Sequence, residues 1–111
     1  MFTRSHERRF EEILPGIQQR TLGTTPTMMM CEARLRHGSR VPPHRHPHEQ
    51  ITYVVSGKVR VCIDGQEASL QSGDVYAIAG NREHEIDVLE DTVVVDVFSP
   101  HRAEYRLQEE S

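Results

Sequence analysis

Residues 38–57 read GSRVPPHRHPHEQITYVVSG, and the rest of the chain is organised around this stretch. Side chains that can bind a metal occupy even-numbered positions within it: His44, His46, His48 and Gln50. In an extended backbone, residues at even spacing project from one face. Because imidazole is the commonest protein ligand for transition metals, this pattern predicts a metal site on a strand. His84 is the candidate for the ligand that must come from elsewhere in the chain.

The spacing from Gly38 through the histidines and Gln50 to Gly57 resembles the first motif of the cupin family, with Gln where most cupins have Glu. Residues 73–84, GDVYAIAGNREH, resemble the second cupin motif, whose closing residue is His84. The resemblance implies that His44, His46, Gln50 and His84 form the metal site. It also implies an all-β fold, the small antiparallel barrel or jelly roll that cupins form as a double-stranded β-helix.

Length and composition predict a single domain over residues 1–111, with a polar lead-in at 1–12 and a tail at 99–111. The net charge of −4 and the single lysine leave no basic stripe for nucleic acid. No apolar run is long enough to cross a bilayer, and the charged lead-in favours the cytoplasm. Cys31 and Cys62 lack metal or redox spacing and are expected to be reduced and packed as small hydrophobes.

Short alternating segments separated by Gly, Pro and Asp signals predict eight or nine strands and no long helix. The expected extended segments are Ile17–Leu22, Thr27–Arg36, 41–43, Gln50–Ser56, Lys58–Ile63, Gln66–Leu70, Val75–Ile78, His84–Leu89 and Thr92–Phe98. Asp64-Gly65 is a strong hairpin signal. Phe2 and Phe10 are expected to dock on the barrel, and a short helical turn is expected after Pro100.

Gln50 occupies an even-numbered position like the histidines, so it shares their face of a strand. Its neighbour Glu49 points away from the site if the strand is regular. Pro47 can interrupt that regularity, so Glu49 remains the alternative ligand. His48 is expected to orient a ligand or to line the pocket rim. Three neutral imidazoles and a neutral amide leave a divalent ion its full charge, which favours anionic oxygen ligands and Lewis-acid chemistry. Ni, Zn, Fe, Co, Mn and Cu all stay open as the metal.

Alternation in residues 93–98 puts Val94, Asp96 and Phe98 on one face and three valines on the other. An acidic side chain in so apolar a strand must be paired with another group, be exposed to solvent or have a functional role. If its face looks inward, Asp96 lies in the metal pocket with Phe98 as an apolar wall. Arg102 then either pairs with Asp96 or contacts a substrate. The valine face is expected to pack on the other sheet or on a second subunit, and a homodimer is predicted.

The two stretches together resemble the pectin degradation cupins, which linearise 4,5-unsaturated monouronates released by pectate and alginate lyases. That resemblance implies a metal held by three His and Gln, with Asp96, Phe98 and Arg102 in the active site. It implies a metal-dependent isomerase that opens the sugar ring and forms a ketone, acting on a small anionic sugar acid. The alternatives are a metal-dependent cupin dioxygenase and a non-catalytic module that binds or senses sugar acids.

Overall fold

The computed structural model of the protein describes residues 2–100, which form ten β-strands. The strands are β1 (Glu11–Leu14), β2 (Ile17–Thr24), β3 (Met29–Leu35), β4 (Arg40–His44), β5 (Glu49–Ser56), β6 (Lys58–Ile63), β7 (Gln66–Gln71), β8 (Val75–Ile78), β9 (His84–Val88) and β10 (Thr92–Ser99). The only helical segment in this range is a 3₁₀ turn at Ser5–Glu7, so nothing helical among these residues is long enough to cross a membrane. The all-β prediction is confirmed.

The strands form two antiparallel sheets that pack face to face as a jelly roll. The larger sheet has the order β1-β2-β3-β10-β5-β8, and the smaller one has the order β4-β9-β6-β7. Alternating apolar side chains from both inner faces fill the space between them, with Val54 and Val59 fully buried at its centre. Burial of this apolar surface supplies the main stabilisation of the fold.

The N-terminal segment differs from the prediction in two respects. Strand β1 was not predicted, because Glu11 and Glu12 are exposed on an edge strand and show no alternation. Docking of Phe2 was wrong, since its side chain is 96% exposed. Phe10 does dock: the guanidinium of Arg34 lies 4.0 Å from its ring centroid, and a second guanidinium lies at 4.6 Å. The helical turn expected after Pro100 falls outside the described residues.

The Asp64-Gly65 turn joins β6 to β7, as predicted. Both residues have positive φ, +49° and +82°, as the tight hairpin turn requires. The Asp64 carboxylate also accepts a hydrogen bond from the backbone N–H of Glu83 at 3.2 Å and lies 3.3 Å from the Arg82 guanidinium. These contacts fix the chain just before β9 begins at His84.

The outer face of the large sheet is rich in exposed apolar side chains: Met30, Ile51, Tyr53, Val55 and Val75. Val97 on β10 is in register with Met30 on β3 and with Ile51 on β5, so an apolar row crosses three strands. The valine face of β10 therefore lies on the outside of the molecule rather than against the second sheet.

Candidate metal centre

Three imidazoles converge between the two sheets. His44 on β4 and His84 on β9 are direct cross-strand partners, and their ring centroids lie 4.1 Å apart. His46 approaches from the connection between β4 and β5, with its centroid 4.9 Å from that of His84. One ring nitrogen from each of the three lies within 4.8 Å of the others, so the group could hold a metal ion.

Each imidazole is oriented by a main-chain carbonyl two residues away. Nδ1 lies 3.0 Å from the Pro42 oxygen in His44, 3.0 Å from the His48 oxygen in His46, and 2.9 Å from the Arg82 oxygen in His84. A carbonyl only accepts hydrogen bonds, so Nδ1 must carry the proton in all three rings. In its neutral form each ring then presents an unprotonated Nε2 atom, the form in which imidazole binds a metal. The residues present therefore fit a bound transition metal.

A second loop holds the segment that carries His46. The backbone N–H of Asn81 donates to the His46 carbonyl at 2.7 Å, and Asn81 has a φ of +64°. A Cβ atom at Gly80 would lie 2.6 Å from the Pro47 carbonyl oxygen. The close approach of these two loops therefore requires glycine at position 80.

Gln50 lies on β5 at the inner face of the large sheet, and both of its amide hydrogens are used. Its Nε2 donates to Thr52 Oγ1 at 3.0 Å and to Asp96 Oδ1 at 3.3 Å. The Asp96 carboxylate only accepts, which assigns the nitrogen to this side of the amide. The amide oxygen is the group that Gln50 can offer to a metal.

Thr52 is the centre of this hydrogen-bond network. Its hydroxyl donates to Asp96 Oδ1 at 2.6 Å and accepts from Gln50. Burial raises the pKa of the Tyr76 hydroxyl, the nearby Asp96 charge raises it further, and a hydrogen bond with Thr52 opposes the shift. Tyr76 therefore stays neutral.

Asp96 and Phe98 are neighbours on the inner face of β10. Asp96 is in register with Thr52 on β5, and Phe98 is in register with Gln50. The Phe98 ring is 2% exposed and its centroid lies 6.2 Å from that of His46. Phe98 thus forms an apolar wall beside His46, and Asp96 lies on the same face of β10.

Most of these groups line one cavity of about 310 Å³ that lies between the sheets, although His46 and Thr52 are not part of its lining. Its polar lining consists of His44, His84, Gln50, Asp96, Tyr76 and Gln19. The remaining walls are largely apolar, formed by side chains such as Ile13, Leu35 and Phe98. A few convergent polar groups in an apolar cavity are typical of a small-molecule site.

Comparison with known proteins identifies the family. The cupin domain model matches residues 31–99, which contain all three imidazoles and Asp96. The chain belongs to the cupin family. Among curated proteins, this cupin is 35% identical over 98 residues to the pectin degradation protein KdgF of Dickeya dadantii (strain 3937), covering 86% of this chain and 89% of the relative.

Solved structures agree with this assignment. KdgF from Halomonas sp. superimposes on this cupin with a TM-score of 0.88 and 34% identity, over 94% of this chain and 96% of that chain. An RmlC-like cupin from Shewanella frigidimarina NCIMB 400 gives a TM-score of 0.90 with 27% identity, over 95% of each chain. The match extends over nearly the whole fold.

The cupin site differs from the sequence-based prediction in how its members converge. β4 ends at His44 and β5 begins at Glu49, so the four even-numbered residues do not lie on one strand. The chain crosses between the sheets at 45–48, so His44 belongs to the small sheet and Gln50 to the large one. Glu49 is exposed, and among the described residues the cluster of possible His, Cys, Asp and Glu ligands contains only the three histidines.

Three further positions extend the account of the cupin site. His48 supplies the carbonyl that orients His46, and its ring lies 5.4 Å from that of His46. Sequence reasoning missed Thr52 and Gln19, although Thr52 has the parity of Gln50 and could have been found from it. Arg102 lies outside the described residues.

Proposed function

We propose that this cupin is a metal-dependent isomerase that opens the ring of 4,5-unsaturated uronic acid monosaccharides and converts them to the ketone. The metal ligands in this proposal are His44, His46, His84 and Gln50. One observation carries it: uncharged donors, from two of the three imidazoles and the Gln50 amide, line the same cavity as the Asp96 carboxylate. The similarity to a pectin degradation protein supports a sugar acid as the substrate.

A divalent metal at this site would supply Lewis-acid polarisation of the substrate oxygens, because no ligand cancels its charge. Nickel, zinc, iron, cobalt, manganese and copper all accept imidazole ligands. The imidazole tautomers and the Gln50 amide are fixed by hydrogen bonds within the protein. This preorganisation favours a site that binds a metal without rearrangement.

The reaction moves protons and changes no oxidation state overall. The hemiacetal hydroxyl loses its proton as the ring carbon–oxygen bond breaks, which gives an aldehyde and leaves the ring oxygen as an enol. The enol then loses its hydroxyl proton while carbon 4 gains one, which gives the ketone. Asp96 is the general acid–base for this transfer, because it is the carboxylate that lines the cavity beside the imidazoles. Thr52 holds its Oδ1 at 2.6 Å and so fixes the direction of transfer.

Phe98 and the apolar walls exclude water from the reacting enol and strengthen the charge interactions around it. Arg102 is predicted to bind the substrate carboxylate, to pair with Asp96, or to do both. That role comes from the resemblance to the pectin degradation cupins.

The test is an assay with lyase-generated unsaturated monouronate, followed by the loss of its enol absorbance. Metal-loaded wild-type protein should accelerate the loss over buffer, and Asp96→Asn should reduce the rate by at least about 100-fold, the usual contribution of a general acid–base. Gln18→Leu, on the exposed side of β2, serves as the matched control. No acceleration by metal-loaded wild type would rule the isomerase out.

The same samples distinguish the two alternatives. Oxygen consumption by iron-loaded protein would indicate a dioxygenase. Uronate binding without turnover, with an affinity that Asp96→Ala leaves unchanged, would indicate a binding or sensing module.

A homodimer and a cytoplasmic location stay predictions. The exposed apolar row through Met30, Val97 and Ile51 supports a second copy of the chain as the partner of the outer sheet face. Light scattering should give twice the chain mass, and Ile51→Glu should shift it toward the monomer. Cys31 and Cys62 are not joined to each other by a disulfide.

A further inference from the structure

Gln19 is a buried polar residue in the cavity that the proposed reaction does not use. It lies on β2 with 6% of its surface exposed and lines the same cavity as His44 and Asp96. Along its row of the large sheet it is in register with Ala33 on β3, and Ala33 is in register with Val94 on β10. An amide in so apolar a row needs an explanation.

The Gln19 side-chain oxygen is buried and has no hydrogen-bond partner among residues 2–100. An unpaired amide oxygen in an apolar setting destabilises a fold, because its hydration is lost and nothing replaces it. An apolar residue of the same size would therefore suit the fold better at this position. The position of Gln19 on the cavity wall indicates that its partner is a ligand.

We propose that Gln19 is a hydroxyl-binding subsite at the end of the cavity away from the metal centre. A side-chain amide offers an accepting oxygen and a donating NH₂ group, and a sugar hydroxyl, which both donates and accepts, can pair with either end. The subsite therefore selects polyhydroxylated acids over short acids and turns the hydroxyl-bearing end of the ligand toward β2. The identity of the ligand as a uronate rests on the proposed function.

Sheet geometry sets the reach of such a ligand. Gln19 and Asp96 lie on strands separated by β3, and Asp96 is two residues further along β10 than the row of Gln19. With strands about 4.8 Å apart and about 3.3 Å per residue, the two Cα atoms are roughly 12 Å apart. Both side chains line the same cavity, so a six-carbon sugar acid lying along it would contact both, whereas a three-carbon acid held at the metal would be too short.

The experiment compares two non-reacting ligands by calorimetry on metal-loaded protein. D-galacturonate is long enough to reach Gln19, and D-glycerate is not. Gln19→Leu should weaken galacturonate binding by about 3- to 10-fold, the effect of one lost hydrogen bond, and leave glycerate binding unchanged. Gln18→Leu, one residue away on the exposed face, should change neither. Equal effects of Gln19→Leu on both ligands, or no effect on either, would overturn the subsite.

A second measurement separates ligand binding from a structural role. The buried oxygen has no hydrogen-bond partner among residues 2–100. Gln19→Leu should therefore raise the melting temperature of the ligand-free protein and weaken the binding of galacturonate. A lower melting temperature would mean that the amide is already satisfied in the folded protein, and it would overturn the inference.

The subsite proposal and the isomerase proposal can be refuted independently. Binding of galacturonate that depends on Gln19, without turnover of unsaturated uronate, would support the subsite and refute the isomerase. Turnover with the same kcat and KM in wild type and Gln19→Leu would support the isomerase and refute the subsite. Wild-type protein that does not bind galacturonate would remove the subsite as well.

Discussion

Gln50→Glu is predicted to destabilise the metal-free protein in a way that depends on Asp96. The Gln50 Nε2 atom lies 3.3 Å from Asp96 Oδ1 and 3.0 Å from Thr52 Oγ1, and it donates to both. A carboxylate at position 50 would replace that donor with an acceptor. Asp96 would then face a second negative charge, and two hydrogen bonds would be lost.

The magnitude follows from that distance. At an effective dielectric constant of about 20, two unit charges 3.3 Å apart repel by about 5 kcal/mol. The pair can avoid this by binding a proton, which costs about 3.7 kcal/mol at pH 7 for a glutamate with an ordinary pKa of about 4.3. Protonation is the cheaper route, so the expected loss is about 3–4 kcal/mol at pH 7. At pH 5 protonation costs only about 1 kcal/mol.

The pH dependence has a definite sign. In the folded variant a carboxyl pKa is raised, so the folded state binds more protons than the unfolded state and stability falls as pH rises. Urea unfolding in the presence of a chelator should therefore show a small loss at pH 5 and a large one at pH 7. Adding Asp96→Asn restores a donor opposite the new glutamate and should recover most of the loss. Wild-type stability of Gln50→Glu at pH 7, or no recovery in the double variant, would refute the reasoning.

Three other substitutions test the site and its loops. His46→Ala should abolish the rise in melting temperature on metal addition while leaving the metal-free fold intact, whereas exposed His37→Ala keeps the response. Burial raises the pKa of Tyr76, so its contribution to stability is present below about pH 10 and is lost above it. Between pH 10 and 11 wild type should lose about 1 kcal/mol more than Tyr76→Phe in urea unfolding. Gly80→Ala brings a Cβ to 2.6 Å from the Pro47 oxygen and should cost about 1–3 kcal/mol in the same assay, a result that unchanged stability would contradict.

Much of the fold could be predicted because its signals are local. Period-two alternation located β5, β6 and β10 to within one residue, and the Asp64-Gly65 pair located the hairpin between β6 and β7. β1 could not be found this way. Its pattern of burial has no period, since it is an edge strand held by pairing with β2 through the Pro15-Gly16 turn.

The sequence predicted which residues belong to the candidate site better than it predicted how they are arranged. The spacing of His44 and His46 and the resemblance of residues 73–84 to the second cupin motif joined these two residues with His84 in the prediction. The structure brings a ligand atom of each of the three within 4.8 Å of the others. The single-strand picture was wrong, because the chain leaves one sheet after His44 and enters the other at Glu49. Gln19 could not be identified from the sequence. Its proposed role depends on a buried amide oxygen that has no hydrogen-bond partner among the described residues, and only the three-dimensional structure shows this.

The carbonyl groups that orient the imidazoles give the family room to diversify. Each of these anchors belongs to the peptide backbone at Pro42, His48 or Arg82, so the bond does not depend on which side chain the anchoring residue carries. Exchanging those side chains, while the path of the chain is kept, would change the surface near the imidazoles and leave the arrangement of the three rings unchanged. A protein with this scaffold can therefore change which molecules approach the candidate site while its imidazoles stay in place.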